Sequence, residues 1–180
     1  MITNIDLVIL RFMESIHNPM TDFIFSAITY LGDDGKLWIG IALLLLFFPK
    51  HRKTALAMIV GLITFHVLCN SILKDLIGRP RPFVLVPELL NSIPDVVDVP
   101  SSFSMPSGHT MMSFVCAEIL GRNIPKSKIP AYAAAVLMGL SRIYLLVHYP
   151  SDVIVGAALG ILLAITIDKA KNKLIRQKAA

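Results

Sequence analysis

The chain has 180 residues, of which 55% are hydrophobic and only 16% charged, and its mean hydropathy is +0.70. A soluble domain carries about 25% charged residues, so the composition excludes an ordinary water-soluble globule and predicts an all-α integral membrane protein. The net charge of +5 sits in short connectors, which fits membrane topology and argues against nucleic acid as a partner.

Residues 2–16, "ITNIDLVILRFMESI", mix apolar and charged groups at helical spacing. They predict an amphipathic interfacial helix within 1–17, broken by Asn18-Pro19. Asp6, Arg11 and Glu14 interrupt this region, and no cleaved signal peptide is expected. Six membrane spans follow, forming a single domain over 1–180. The first starts between Phe12 and Met20 and ends near Leu31; the others are 36–48, 54–77, 107–121, 129–147 and 150–167. The second is short for a hydrocarbon core and must tilt, thin the bilayer or pack beside neighbours. Cys69 and Cys116 lie in apolar segments and read as small buried hydrophobes, not as a disulfide or a metal pair.

Connector charge orients the bundle. "PKHRK" (49–53), "RNIPKSK" (122–128) and the tail 168–180 are basic, so they face the cytoplasm, together with both termini. The outer face of a cell membrane then carries "GDDG" (32–35), the long stretch 78–105 and "VHYPS" (147–151). Arg79 and Arg81 lie on that face against the charge rule, and function is a reason for such an exception. The segment 78–105 holds Pro80, Pro82, Pro87, Pro94 and Pro100, which forbid a long helix.

Three motifs converge on this face. "KDLIGRPRP" places Lys74 six residues before Arg81. A helix-terminal lysine that snorkels would explain Lys74 alone. "PSGH" (106–109) opens the fourth span. Ser107 could be a plain N-cap, but exposed amides at a helix start, with Gly108 allowing close approach, also suit a phosphate. A cap does not explain His109, an imidazole one turn inside an apolar helix. "SRIYLLVHYPSD" (141–152) holds Ser141, Arg142, His148 and Asp152. Pro150 suits the first position of the last helix and Asp152 its first turn. Arg142 cannot shed its proton and needs an anion or carbonyls. Three cations and a backbone anion nest make a phosphoryl pocket. The two histidines supply a nucleophile and an acid, and Asp152, four residues from His148, can fix its tautomer.

Lys74-x6-Arg81-Pro82, Pro106-Ser107-Gly108-His109 and Ser141-Arg142-x5-His148-x3-Asp152 together resemble the three-part signature of the type 2 phosphatidic acid phosphatase (PAP2) superfamily. Arg79-Pro80 is an extra Arg-Pro pair without the family's spacing. The resemblance implies a six-span helical bundle with its active site at the outer membrane–water interface. It implies His148 as nucleophile, Asp152 as its partner and His109 as acid and then base. Lys74, Arg81, Ser107, Gly108 and Arg142 would bind the phosphate oxygens, with Ser141 helping to hold the pocket. No metal or other cofactor is expected: Mg²⁺ is usually held by carboxylates, and this pocket offers mainly Asp152. The expected partners are the bilayer and a membrane lipid phosphate. The best-matching substrate is undecaprenyl pyrophosphate, ahead of phosphatidylglycerophosphate or phosphatidic acid. A non-catalytic phosphate-binding or transport protein would have little need of both histidines. Oligomeric state is left open by the sequence.

Overall fold

The computed structural model describes residues 3–179; residues 1, 2 and 180, at the tips of the expected 1–17 helix and the 168–180 tail, lie outside the described residues. All regular elements of the described chain are helices, without strands. Helix α1 (Asn4–Ser15) begins with a capping box in which Thr3 and Asp6 satisfy each other's backbone N–H. Asp6 and Leu10 stand one turn apart on its buried stripe, and α1 packs against the later helices.

Helix α2 (Pro19–Gly32) starts at the Asn18 cap with proline in its first turn. A tight turn at Asp33–Gly35 then reverses the chain into α3 (Lys36–Leu46). Asp34 and Gly35 adopt φ of 53° and 75°, a left-handed pair that glycine eases. Helix α4 (Arg52–Phe65) runs on through a π-helical stretch, His66–Leu73, into α5 (Lys74–Ile77), where Gly78 at φ 60° stops it. The proline-rich segment 78–105 holds only the short α6 (Pro82–Leu85) and a 3₁₀ stretch, Pro87–Ser92. Helices α7 (Gly108–Asn123), α8 (Lys128–Tyr144) and α9 (Pro150–Ala179) complete the fold.

Helices therefore stand at all six expected segments. Two stretches, Pro49–Leu85 and Pro150–Leu174, are long and apolar enough to cross a membrane by themselves. Large apolar side chains such as Ile39, Phe47, Leu56, Ile63 and Leu162 point outward, the reverse of a water-soluble surface. The last helix runs on to Ala179, past the expected end at 167, and another boundary falls short. The fifth segment stops being helical at Tyr144, not Val147, because residues 145–149 turn inward, with Leu146 at φ 57°. Such a left-handed leucine costs ~1–2 kcal/mol and is held by complete burial of Leu145, Leu146 and Val147.

Helix α7 is the axis, buried on nearly every face and packed by α9, α8 and α4. Trp38, Met58, Met111, Val115 and Ile119 fill the core around it, and the Trp38 indole N–H donates to Ser113 Oγ at 2.9 Å. Gly156 and Gly160 let α9 lie directly on α7. A Cβ on Gly156 would meet the Ser107 carbonyl oxygen at 2.8 Å, and one on Gly160 would come still closer to the Met111 carbonyl. Small residues four apart permit this approach. The two helix starts are thereby locked: Ser107 N–H donates to the Asp152 carbonyl at 3.2 Å. Segment 78–105 roofs the result, with Leu89, Ile93 and Val97 packed on residues 144–149. At the far end of α7, Arg122 and Asn123 bind Asp168 of α9 at 3.1 and 2.9 Å.

Candidate active site

The end of α5, the start of α7, the 145–149 turn and the start of α9 meet at one end of the bundle. A cavity of about 730 Å³ opens there, lined by Lys74, Arg81, Gly108, His109, Arg142 and His148. Six of the eight expected site residues thus line one cavity. Asp152 is fully buried and bonded to His148. Ser107 is also fully buried and does not line the cavity; its Oγ pairs with Thr110 Oγ1 at 2.9 Å and makes no capping bond.

His148 stands between a guanidinium and a carboxylate. Its Nε2 lies 3.2 Å from Arg81 Nη1, and its Nδ1 lies 3.4 Å from Asp152 Oδ2. A guanidinium only donates, so Nε2 carries the lone pair and Nδ1 carries the proton, donated to Asp152. Burial holds the imidazole well below its ordinary pKa, opposed in part by the Asp152 bond, so the ring rests neutral. Asp152 Oδ2 also accepts from the Tyr149 amide at 2.9 Å and from the Ser104 hydroxyl. Its Oδ1 accepts from Arg79 Nη1 at 2.5 Å.

The cations are spread along the cavity. Lys74 Nζ and Arg81 Nη2 both donate to Ser102 Oγ, at 3.0 and 3.2 Å. Arg81 also donates to the carbonyls of Ser102 at 2.6 Å and Val147 at 2.8 Å. Burial draws its pKa down to about 10, still a cation at neutral pH. Arg142 is 3% exposed; its Nη1 donates to Thr29 Oγ1 at 2.9 Å while its Nε has no hydrogen-bond partner among the described residues. Ser141 is one step behind it, sharing Thr29 Oγ1 at 2.9 Å. His109 Nε2 sits 2.9 Å from Asp33 Oδ1. That bond holds the Asp33 carboxyl below the usual range, against the effect of its partial burial.

Sequence reasoning missed Asp33, Arg79, Asp6, Ser102 and Ser104. Asp33 and Arg79 each gave a signal: an acidic turn on the site face, and an arginine on the side where connectors are poor in positive charge. Asp6 lay on an apolar stripe of α1, where a carboxylate needs a partner. The two serines gave none. Both cysteines are buried and unbridged. Among the described residues, no group of three or more His, Cys, Asp or Glu side chains is placed to hold a metal.

The sequence model of the PAP2 superfamily matches residues 53–176. The chain is 34% identical over 174 residues to lipid A 4'-phosphatase of Bacteroides thetaiotaomicron, covering 88% of this chain and 73% of that one. It is also 34% identical over 178 residues to phosphatidylglycerophosphatase B of Bacillus subtilis, covering 91% and 82%. The crystal structure of the Bacillus subtilis transmembrane PAP2 type phosphatidylglycerolphosphate phosphatase superposes with a TM-score of 0.74 at 32% identity, over 95% of this chain and 88% of that one. That of Aquifex aeolicus LpxE gives 0.70 at 29%, over 93% and 96%. The chain belongs to the PAP2 superfamily. Within it, the chain is a phosphatase, a hydrolase of phosphate esters.

Proposed function

We propose that this single-domain chain is a six-span membrane lipid phosphatase whose site end faces outward and whose reaction passes through a phosphohistidine on His148. The observation that carries the reading is the polarity of the His148 ring: Nδ1–H is held by Asp152, and the Nε2 lone pair faces the cavity beside Arg81. The outward apolar surface and the basic connectors support the membrane placement.

A phosphoryl group in the cavity takes its non-bridging oxygens to Lys74, Arg81, Arg142 and the Gly108 amide. Ser107 joins them on exchanging its Thr110 partner for a phosphate oxygen. Arg81 turns from Nε2 to the substrate, and Nε2 attacks phosphorus as the P–O bond to the leaving group breaks. His109, held by Asp33, gives its proton to the leaving oxygen. In the second half His109 takes a proton from water, the resulting hydroxide attacks phosphorus, and the N–P bond breaks to return neutral His148. The three cations stabilise the charge that spreads over the equatorial oxygens, the task a metal performs elsewhere.

For the substrate, the outward site favours undecaprenyl pyrophosphate. A relative from Sulfolobus acidocaldarius bearing the name undecaprenyl-diphosphatase is 34% identical over 125 residues, covering 69% of this chain and 58% of that one. The lipid A and phosphatidylglycerophosphate relatives match at the same identity, so substrate choice falls to assay. The test is purified protein in detergent on undecaprenyl pyrophosphate, phosphatidylglycerophosphate and phosphatidic acid, with His148→Ala in parallel. Wild type should yield an acid-labile phosphoenzyme and release phosphate fastest from the pyrophosphate. His148→Ala should fold, form no phosphoenzyme and turn over nothing. Near-normal phosphate release by His148→Ala would refute the nucleophile assignment.

A further inference from the structure

Helix α1 lies outside the residues that match the family, yet it reaches the catalytic carboxylate. Arg79 is 5% exposed and bridges two acids: Nη1 donates to Asp152 Oδ1 at 2.5 Å and Nη2 to Asp6 Oδ2 at 3.0 Å. Asp6, 2% exposed, also accepts from the Ser151 amide at 3.1 Å and from Ser151 Oγ at 2.9 Å. Ser151 Oγ in turn accepts from Arg79 at 2.8 Å. The guanidinium lies over the Tyr149 ring, 4.2 Å from its centroid. Tyr149, Ser151 and Asp152, which follow His148, are therefore tied through one arginine to a helix that stands 73 positions before that arginine in sequence.

A strut could be built from neutral groups; the charges need a different reason. As His148 Nε2 bonds to phosphorus and keeps its Nδ1 proton, the ring becomes cationic. Asp152 stabilises that cation only in so far as its own charge is not cancelled. Arg79 alone would cancel it, leaving a neutral pair behind the ring. Asp6 on the far side of Arg79 returns the group of three to a net negative charge while Arg79 keeps Oδ1 engaged and Oδ2 aimed at His148. We propose that Asp6 and Arg79 are positioning residues for catalysis, and that α1 supplies the charge that lets Asp152 stabilise phosphorylated His148. The proposal rests on His148 as the nucleophile.

A charge-swap cycle tests it: kcat, KM and melting temperature of the full chain in detergent, on short-chain phosphatidic acid, for Asp6→Asn, Arg79→Gln, the double variant and His148→Ala. Removing a partner one step behind a reacting group typically costs roughly ten- to a hundredfold in metal sites, and kcat of Asp6→Asn should fall on that scale. KM should change little, since Lys74, Arg81 and Arg142 are untouched. Arg79→Gln alone leaves two buried carboxylates facing each other and should also lose kcat. The double variant restores the net charge and should recover most of the kcat lost by Asp6→Asn, a coupling that only a cycle exposes. A mere strut predicts the opposite, with the double variant at least as slow as either single. Wild-type kcat in Asp6→Asn, no recovery in the double variant, or failure of both to fold would overturn the proposal. Turnover by His148→Ala would instead remove the nucleophile reading; a dead His148→Ala without recovery removes only the role of α1.

Discussion

Replacing Gly156 by alanine inserts one methyl group between α9 and α7, at a place no substrate reaches. The new Cβ meets the Ser107 carbonyl oxygen at 2.8 Å and the Met111 amide nitrogen at 3.4 Å, where ordinary contact begins only at 3.4 Å. Both atoms are backbone, so no flexible side chain can yield. Opening the seam by ~0.6 Å stretches the Ser107 N–H to Asp152 carbonyl bond from 3.2 Å to about 3.8 Å, outside hydrogen-bond range. Overpacking of this kind costs ~1–3 kcal/mol, which lowers the melting temperature by roughly 2–4 °C for each kcal/mol in a chain of this size. The same opening moves His109 relative to His148, because the two ride on opposite sides of the seam. Since a 1 Å misplacement can cost about a hundredfold, kcat should fall roughly tenfold or more. Gly40→Ala is the control: nothing lies within 4 Å of the added Cβ. Phosphate release and thermal unfolding in detergent would measure both variants. Wild-type kcat in Gly156→Ala, or an equal loss in Gly40→Ala, would refute the coupling of helix packing to the site.

Arg142→Lys keeps the charge but loses the planar fork, and kcat should fall on the order of a hundredfold with little change in melting temperature; an active, stable variant would show that Arg142 only anchors α8. Activity should survive EDTA and be inhibited by vanadate, whose five-coordinate form fits between Nε2 and the cations; loss on chelation with recovery in Mg²⁺ would contradict the metal-free chemistry. In intact cells, cysteine at Asp34 or Asp95 should react with an impermeant thiol reagent and cysteine at Ser127 should not. The reverse pattern would place the site inside.

What the sequence revealed and what it hid divide along a physical line. Lys74, Arg81, His109, Arg142 and His148 were legible because each is a polar group in an apolar chain at a helix end, where burial demands a partner. Their convergence followed from topology alone. The 145–149 turn was not legible: "YLLV" has the hydropathy of a helix, and the turn is packed beneath Leu89, Ile93 and Val97, which lie more than 45 positions away. Asp33, Arg79 and Asp6 were hidden for a related reason. Their roles exist only as pairs, and Asp6–Arg79, Arg79–Asp152 and Asp33–His109 are each separated by more than 70 positions. Spacing set Arg79 aside in favour of Arg81, yet both guanidiniums reach the His148–Asp152 pair, from opposite sides. Ser107 shows the converse. Its position suggested a cap, but the chain satisfies its hydroxyl with Thr110.

If His148 is the nucleophile, as proposed, the hydrogen bond from Arg81 to its Nε2 has the character of a safety catch. One guanidinium both guards the lone pair and waits for the phosphate, so the imidazole is not armed until an anion draws that guanidinium away. A neutral lipid drifting into the cavity offers Arg81 nothing better than the nitrogen it already holds, and finds the nucleophile covered. Selection of phosphorylated lipids from a bilayer crowded with other head groups therefore need not rest on affinity alone. In the proposed reaction it is built into the order of events, because the group that recognises the substrate is the one that must let go before chemistry can start.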